Sequence, residues 1–416
     1  MISVVALSVV ATSALGGFAF WLLVSRRVPD DTMGEATALA SSALFVAFVC
    51  NLGIPLAVGR HASTSARPDV ALFGLATAVS ASAGLLGAFI YAVVAPTTFG
   101  AILDSSWPWA ALAFVFIAGL APLVQLIDVR LLALGRFRIV LLRPLVALLA
   151  KLTGVVVVTG RVEGDGLPVA IFCALLLPEA LIGFVGAIVL GGRALTGVVR
   201  SRRAPAWRPA ARAAGFNYVS LLLVQGTMMG VPVVVLAFVD ASTNANFYLA
   251  WSFALIALVM TQAVMWGLHI EGETDGARLR HQTGRAIRVS VVLGAALTAG
   301  SLLLVPALPL LYGADFREAG RLAPLAVATC IPYAVTVMLL TEARVRESAP
   351  DIIRVAVTFA TSVAVPVLVA TPRFGAAGAV VSVIGGATAA ALLSSAVWLR
   401  SSPPERVVTP PPLEHA

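Results

Sequence analysis

Twelve separate apolar runs, each about as long as one membrane crossing, constrain this chain more than any other feature. They cover roughly 3–24, 36–58, 70–95, 107–127, 139–160, 167–191, 213–239, 245–268, 286–312, 319–341, 352–371 and 376–399. A hydrocarbon core ~30 Å thick is crossed by a helix of ~20 apolar residues. Within lipid, each backbone polar group must be satisfied inside its own segment, and a helix does that. The runs are too long and too uniformly apolar for the alternating strands of an outer-membrane barrel. Composition agrees: 60% of residues are hydrophobic and only 12% charged, where a soluble domain carries about a quarter. The expectation is an all-α polytopic membrane protein with twelve transmembrane helices.

Basic residues set the orientation. Of 28 such residues a single one, Lys151, is lysine. With the N-terminus placed in the cytoplasm, 21 arginines fall in inward segments or the tail, including Arg60, Arg130, Arg143, Arg280, Arg344 and Arg400. Six face outward: Arg26, Arg27, Arg161, Arg317, Arg321 and Arg373. Such an excess is the positive-inside signal, and it places both termini in the cytoplasm of a cytoplasmic membrane. Arginines facing anionic lipid also account for the basic balance without nucleic acid. The N-terminus does not read as a cleaved signal peptide, for it has no basic region before a run that is too long. The first run begins almost at Met1, which leaves room for a stretch upstream. Cys50, Cys173 and Cys330 all lie inside runs and read as small apolar residues.

The longest polar break, Gly191 to Arg212, holds the densest basic cluster and falls after six runs. Shifting the chain by 212–213 residues aligns Phe99-Gly100-Ala101 with Tyr312-Gly313-Ala314, Gly17 with Gly230, Arg161 with Arg373 and Gly166 with Gly378. The expected organisation is an N-terminal six-helix lobe (1–191), a basic cytoplasmic linker (192–212), a C-terminal six-helix lobe (213–399) and a disordered tail (400–416). Six is even, so both copies enter the membrane with one polarity. A pseudo-twofold axis along the membrane normal follows, with a cavity between the lobes.

Polar residues at membrane depth are the candidate site. Lys151 lies in the fifth run and Glu179 in the sixth, within about one helical turn in depth. A lone charge at the bilayer centre costs at least ~2.5–3.5 kcal/mol, so the two are expected to pair or to meet a wet cavity. The pair reads as a cavity cation held or gated by Glu179, as a static lock between helices, or, if the helix limits differ, as a lysine snorkelling to the interface. Asn51, Asn217, Gln225 and Gln262 are further polar candidates, and Asn217, Ser220 and Gln225 share a helix face. Gly226, Gly230 and Pro232 mark the seventh run as a hinge. The chain has no Walker A motif and no His/Cys metal spacing, so no catalytic residue, cofactor or metal is expected. A membrane glycosyltransferase is disfavoured because Asp30-Asp31 sits in too short an outward loop to form a catalytic platform.

Several of these stretches resemble the multidrug/oligosaccharidyl-lipid/polysaccharide exporter superfamily, particularly its polysaccharide flippase branch. Ser25-Arg-Arg-Val-Pro-Asp-Asp-Thr-Met-Gly34, leading to Asn51-Leu-Gly-Ile-Pro-Leu-Ala-Val-Gly-Arg60, is similar to its first and second helices. Leu311-Tyr-Gly-Ala-Asp-Phe-Arg-Glu-Ala-Gly-Arg-Leu-Ala-Pro-Leu325 is similar to its helix 9–10 connection. Leu134-Gly135-Arg136-Phe137 fits its helix 4–5 turn, and Phe374-Gly-Ala-Ala-Gly-Ala379 the start of its twelfth helix. Met228-Met-Gly-Val-Pro232 departs from the pattern, standing where an Asp or Arg often occurs.

The resemblance implies a V-shaped pair of six-helix lobes that moves a polyprenyl-diphosphate-linked glycan across the membrane by alternating access. On that reading Lys151, Arg26 and Arg60 contact the anionic head, Glu179 pairs or couples, and Asn51, Asn217, Gln225 and Gln262 contact sugar. Membrane lipids and a polysaccharide polymerase or glycosyltransferase are the expected partners. The competing readings are a drug or cation antiporter of the same fold and a structural partner of a glycan polymerase. A major facilitator is disfavoured because Gly59-Arg-His-Ala-Ser-Thr-Ser-Ala-Arg67 lacks that family's loop motif.

Overall fold

The structure is a computed structural model that describes residues 2–55, 58, 70–95, 109–200, 215, 217–274, 278–346 and 348–400. Among these residues the regular structure is helical throughout, in twelve spans. The first three are α1 (Ile2–Ser25), α2 (Asp30–Cys50) and α3 (Val70–Val94). The fourth, α4, comes in two pieces, Trp109–Leu120 and Pro122–Ala133. Then follow α5 (Phe137–Thr159), α6 (Leu167–Arg200) and α7 (residues 217–236). In the second half come α8 (Ala241–Thr274), α9 (Leu279–Ser301 and Leu304–Tyr312) and α10 (Arg317–Ala328 and Cys330–Val345). A run of 52 residues, Ala349–Arg400, closes the chain. Gly375 breaks it with φ 59° and ψ −147°, which gives α11 (349–374) and α12 (375–400). A side chain is strained at that positive φ, and glycine is not.

Nine helices among the described residues are long and apolar enough to cross a membrane, and the pair forming α9, bent by 50°, makes a tenth span. The apolar stretch Thr12–Ser25 of α1 and the division at Gly375 bring the number to twelve. The chain is thus a multi-pass membrane protein. Helices extend past the apolar runs in several places. α2 begins at Asp30, so Asp30 and Asp31 form its first turn and not a loop. α6 continues to Arg200, through what the sequence reads as the start of the linker. Most of the 192–212 segment, the 401–416 tail and Phe99-Gly100-Ala101 lie outside the described residues.

Pairing repeats between the halves: α1 packs on α5 and α3 on α4, as α7 packs on α11 and α9 on α10. Two six-helix lobes result. The kinks have identifiable causes. Pro122 opens the second piece of α4, and Pro232 lies inside α7 just after a π-helical turn at Leu222–Gly226. Proline removes a backbone donor, and a π turn inserts one extra residue, so both relax the helical ladder.

With an even number of spans, α1 starts and α12 ends on one side, called here the terminal face. On the opposite face the lobes are closed on each other. The backbones of α2 and α8 approach so closely there that a Cβ on Gly34 would lie 1.9 Å from the Ala241 carbonyl oxygen. Ser242 Oγ donates to Asp30 Oδ2 at 2.5 Å, and Asn244 Nδ2 donates to the Gly34 carbonyl and to Thr37 Oγ1, both at 3.2 Å. Asp240 begins α8: its carboxylate accepts from Thr243 N and Oγ1, and these hydrogen bonds hold it below the usual carboxylate range. Arg26 reaches across from α1 to cap α9, donating to the Leu311 carbonyl at 2.7 Å and to Leu310 at 3.2 Å. Tyr312 returns the contact through its hydroxyl to the Phe18 carbonyl at 3.1 Å. Edge-on aromatic pairs, Phe18 with Phe253 and Trp21 with Tyr248, fill the seam beneath.

Candidate functional site

The apolar triangle of α4, α5 and α6 holds four charges. Arg143 lies six residues beyond the start of α5 at Phe137, ~9 Å along the axis. Its guanidinium grips Asp128 of α4 with both arms: Nε to Oδ1 at 2.9 Å and Nη2 to Oδ2 at 2.7 Å. The remaining nitrogen, Nη1, donates to Glu179 Oε2 of α6 at 2.7 Å. Lys151, two turns further along α5, donates from Nζ to the other oxygen of Glu179 at 3.0 Å. The side chains are 8 to 20% exposed, so they are shielded without being sealed. Two cations face two anions, and both oxygens of each carboxylate have a partner.

The expected Lys151–Glu179 pair is therefore present, embedded in a network that the sequence reading did not assemble. Arg143 reads in sequence as a topology anchor at a helix mouth. In the structure it is the bridge between two carboxylates, Asp128 of α4 and Glu179 of α6. Asp128 was missed because the fourth run ends at residue 127, whereas α4 continues to Ala133. The available signal was an acidic residue immediately after an apolar run, with a basic residue in the next helix.

A second polar element lies beside the network. Asn51, just past the end of α2, donates from Nδ2 to Gln125 Oε1 at 2.7 Å. Gln125 and Asp128 are three residues apart on α4 and share its face. The Asn51 Oδ1 atom is buried without a hydrogen-bond partner. A polar band thus runs through the N-terminal lobe from Asn51 and Gln125 to Asp128, Arg143, Glu179 and Lys151.

The other sequence candidates are placed elsewhere. Arg26 belongs to the closed seam described above. Asn217 is at the start of α7, where its carbonyl accepts from Ser220 Oγ at 2.9 Å. Gln225 falls in the π-helical turn and is half-buried. Arg60 and the side chain of Gln262 lie outside the described residues.

The hinge region of α7 also shapes a cleft. Leu222, Gly226, Gly230 and Val234 of α7 face Phe45 of α2 and Val367 and Leu368 of α11 around a cavity of about 290 Å³. Its walls are apolar apart from Thr227. The cleft lies at the seam, since α2 belongs to one lobe and α7 and α11 to the other. The Tyr218 hydroxyl donates to the Val49 carbonyl nearer the terminal face and keeps α7 against α2.

Two six-helix lobes with a seam closed on one face and a polar band at membrane depth define a fold known from membrane transporters. The chain aligns with an inward-facing multidrug resistance MATE family transporter of the MOP superfamily over 96% of its own length and 100% of the other, with a TM-score of 0.62 at 15% identity. An outward-facing structure of a MATE family transporter of the same superfamily gives 0.56 at 15% identity, covering 96% and 97%. An Asp-to-Asn mutant of the Vibrio cholerae MATE transporter VcmN gives 0.59 at 13% identity, covering 96% of each chain. No family model and no curated protein matches the sequence. The chain has the MATE transporter fold.

Proposed function

We propose that this chain is an exporter working by alternating access, and that its substrate is a lipid-linked oligosaccharide moved from the cytoplasmic to the outer leaflet. The observation that carries the reading is the apolar cleft between α2, α7 and α11. A substrate with a polar head and a polyprenyl tail needs two environments at once. The cleft offers the tail a dry, glycine-notched groove at the seam, while the polar band of the N-terminal lobe offers hydrogen-bonding groups and charge to the head. On this reading the closed far seam must open to release the substrate outward, since the arginine distribution assigns the terminal face to the cytoplasm. Lys151 has N–H donors beyond the one given to Glu179, and an incoming diphosphate could accept from them. A second reading, drug or cation export, is favoured by the multidrug resistance MATE transporter that shares the fold.

The test fills the groove. A Cβ at Gly230 already lies 3.3 Å from Phe45 Cε2, so a leucine there projects into the cleft. In cells lacking the chain and complemented with Gly230→Leu, lipid-linked oligosaccharide is expected to accumulate on the cytoplasmic leaflet. Its outward movement should be at least about tenfold slower than with wild type, ~1.4 kcal/mol on the barrier. Export of a small cationic dye should not follow that change. Unaltered glycan sidedness in cells lacking the chain altogether, together with loss of dye export, would move the drug exporter to first place.

A further inference from the structure

We propose that the cleft between α10, α11 and α12 at the terminal face binds a zwitterionic phospholipid headgroup bearing a primary ammonium, with an acyl chain laid along its apolar wall. This site lies in the other lobe from the polar band and does not depend on the substrate proposed above. The cavity measures about 310 Å³. On its floor, Glu342 is 1% exposed, accepts from Trp398 Nε1 at 2.9 Å and pairs with Arg346 one turn on. At the mouth Arg354 meets Asp351 at 3.4 Å, and Asp351 also accepts from Ser348 Oγ at 2.7 Å. The Arg280 guanidinium stacks over the Trp398 ring at 4.7 Å and stiffens that wall.

Three observations select the guest. Ser394 lines the cavity and is 6% exposed, yet its hydroxyl has no hydrogen-bond partner, which asks for a polar group inside. The lining charges are two arginines and two carboxylates. A purely anionic guest would be repelled by the carboxylates and a purely cationic one by the arginines. A phosphate joined to an ammonium satisfies both, the phosphate on Arg346 and Arg354 and the ammonium on Asp351. Depth supplies the third argument. α10 ends at Val345, α11 begins at Ala349 and α12 ends at Arg400, so the cleft opens at headgroup level, where a tryptophan is at home. From there Val397 and Leu393, 43% and 55% exposed, continue one turn at a time toward the bilayer core. They form a track for a chain and not for a soluble metabolite.

The experiment compares lipids on the purified chain in nanodiscs of phosphatidylcholine doped with phosphatidylethanolamine, phosphatidylglycerol or neither, read by native mass spectrometry of retained lipid. Wild type is expected to retain phosphatidylethanolamine about tenfold over the other two, the worth of one charge-assisted hydrogen bond. The double variant Asp351→Asn with Arg354→Gln alters two mouth residues that are half exposed and paired only with neighbours in sequence. It should lose the preference while melting like wild type in phosphatidylcholine alone. Ser394→Leu, which fills the floor, should lose retention altogether. Equal retention of the three lipids by wild type overturns the proposal. So does an unchanged preference in the double variant, or displacement of the lipid by equimolar soluble O-phosphoethanolamine.

Discussion

Chains carrying Arg143→Ala are expected to lose about 3–5 kcal/mol of stability, the usual consequence of removing one partner from a buried ion-pair network. That is a large share of the ~5–15 kcal/mol by which a folded domain exceeds its unfolded state. The reason is connectivity. Arg143 makes three charge-assisted hydrogen bonds to two carboxylates on different helices. Without it, Asp128 is left in an apolar setting with none of these contacts, and Glu179 retains only Lys151. The loss is read as yield of inserted protein and melting temperature in detergent. Two companion variants separate charge from geometry. Arg143→Lys keeps the charge but not the fork, and should fall between wild type and alanine. Arg143→Met combined with Asp128→Met removes both ends of the bidentate pair, leaves Lys151 on Glu179, and should recover much of the stability. A single alanine variant that melts like wild type would mean that water, and not protein, satisfies these carboxylates.

The second large effect is conformational. Gly34→Ala places a methyl group 1.9 Å from the Ala241 carbonyl oxygen, and the atom in the way belongs to the backbone. α2 and α8 must move apart, which undoes the Ser242–Asp30 and Asn244–Gly34 hydrogen bonds and opens the far seam. The expected readout is cross-linking between cysteines introduced as Asp30→Cys and Ser242→Cys, in a background where Cys50, Cys173 and Cys330 are alanine. With Gly34 present, oxidation should link the two positions in most molecules. With Gly34→Ala the yield should fall at least about fivefold, roughly 1 kcal/mol against the closed seam, and substrate should no longer be released in cycles. Undiminished cross-linking would show that the two lobes tolerate the extra atom and that the seam is set elsewhere.

The spans, their number and the two-lobe organisation were legible because the hydrophobic requirement of a bilayer is written residue by residue along the chain. The Lys151–Glu179 pair was legible for a related reason: two opposite charges at one depth on successive helices have little else to do. Arg143 and Asp128 were not. Hydropathy ends a span where polarity rises, but a helix whose end charges are paired continues past that point. Nothing in the residue types says whether an arginine near a helix mouth turns to lipid headgroups or to a carboxylate on the next helix. The Arg26 contact was invisible for a different reason, since its acceptors are the carbonyls of Leu310 and Leu311 and a backbone carbonyl carries no sequence signature. Gly375 was legible as a glycine but not as a break without a loop. Of the stretches that carry the family resemblance, Ser25 to Gly34 and Leu311 to Leu325 meet across the far seam, and Phe374-Gly375 is the α11–α12 kink.

The balance of the four-charge network has an electrical consequence. Two positive and two negative groups clustered within hydrogen-bond reach displace no net charge when the N-terminal lobe tilts through the field across the bilayer. The cluster itself therefore adds no net gating charge to that motion. A voltage-jump recording on the substrate-free protein should show no transient current from this cluster, and rectification of turnover would have to originate in the charge of the cargo itself.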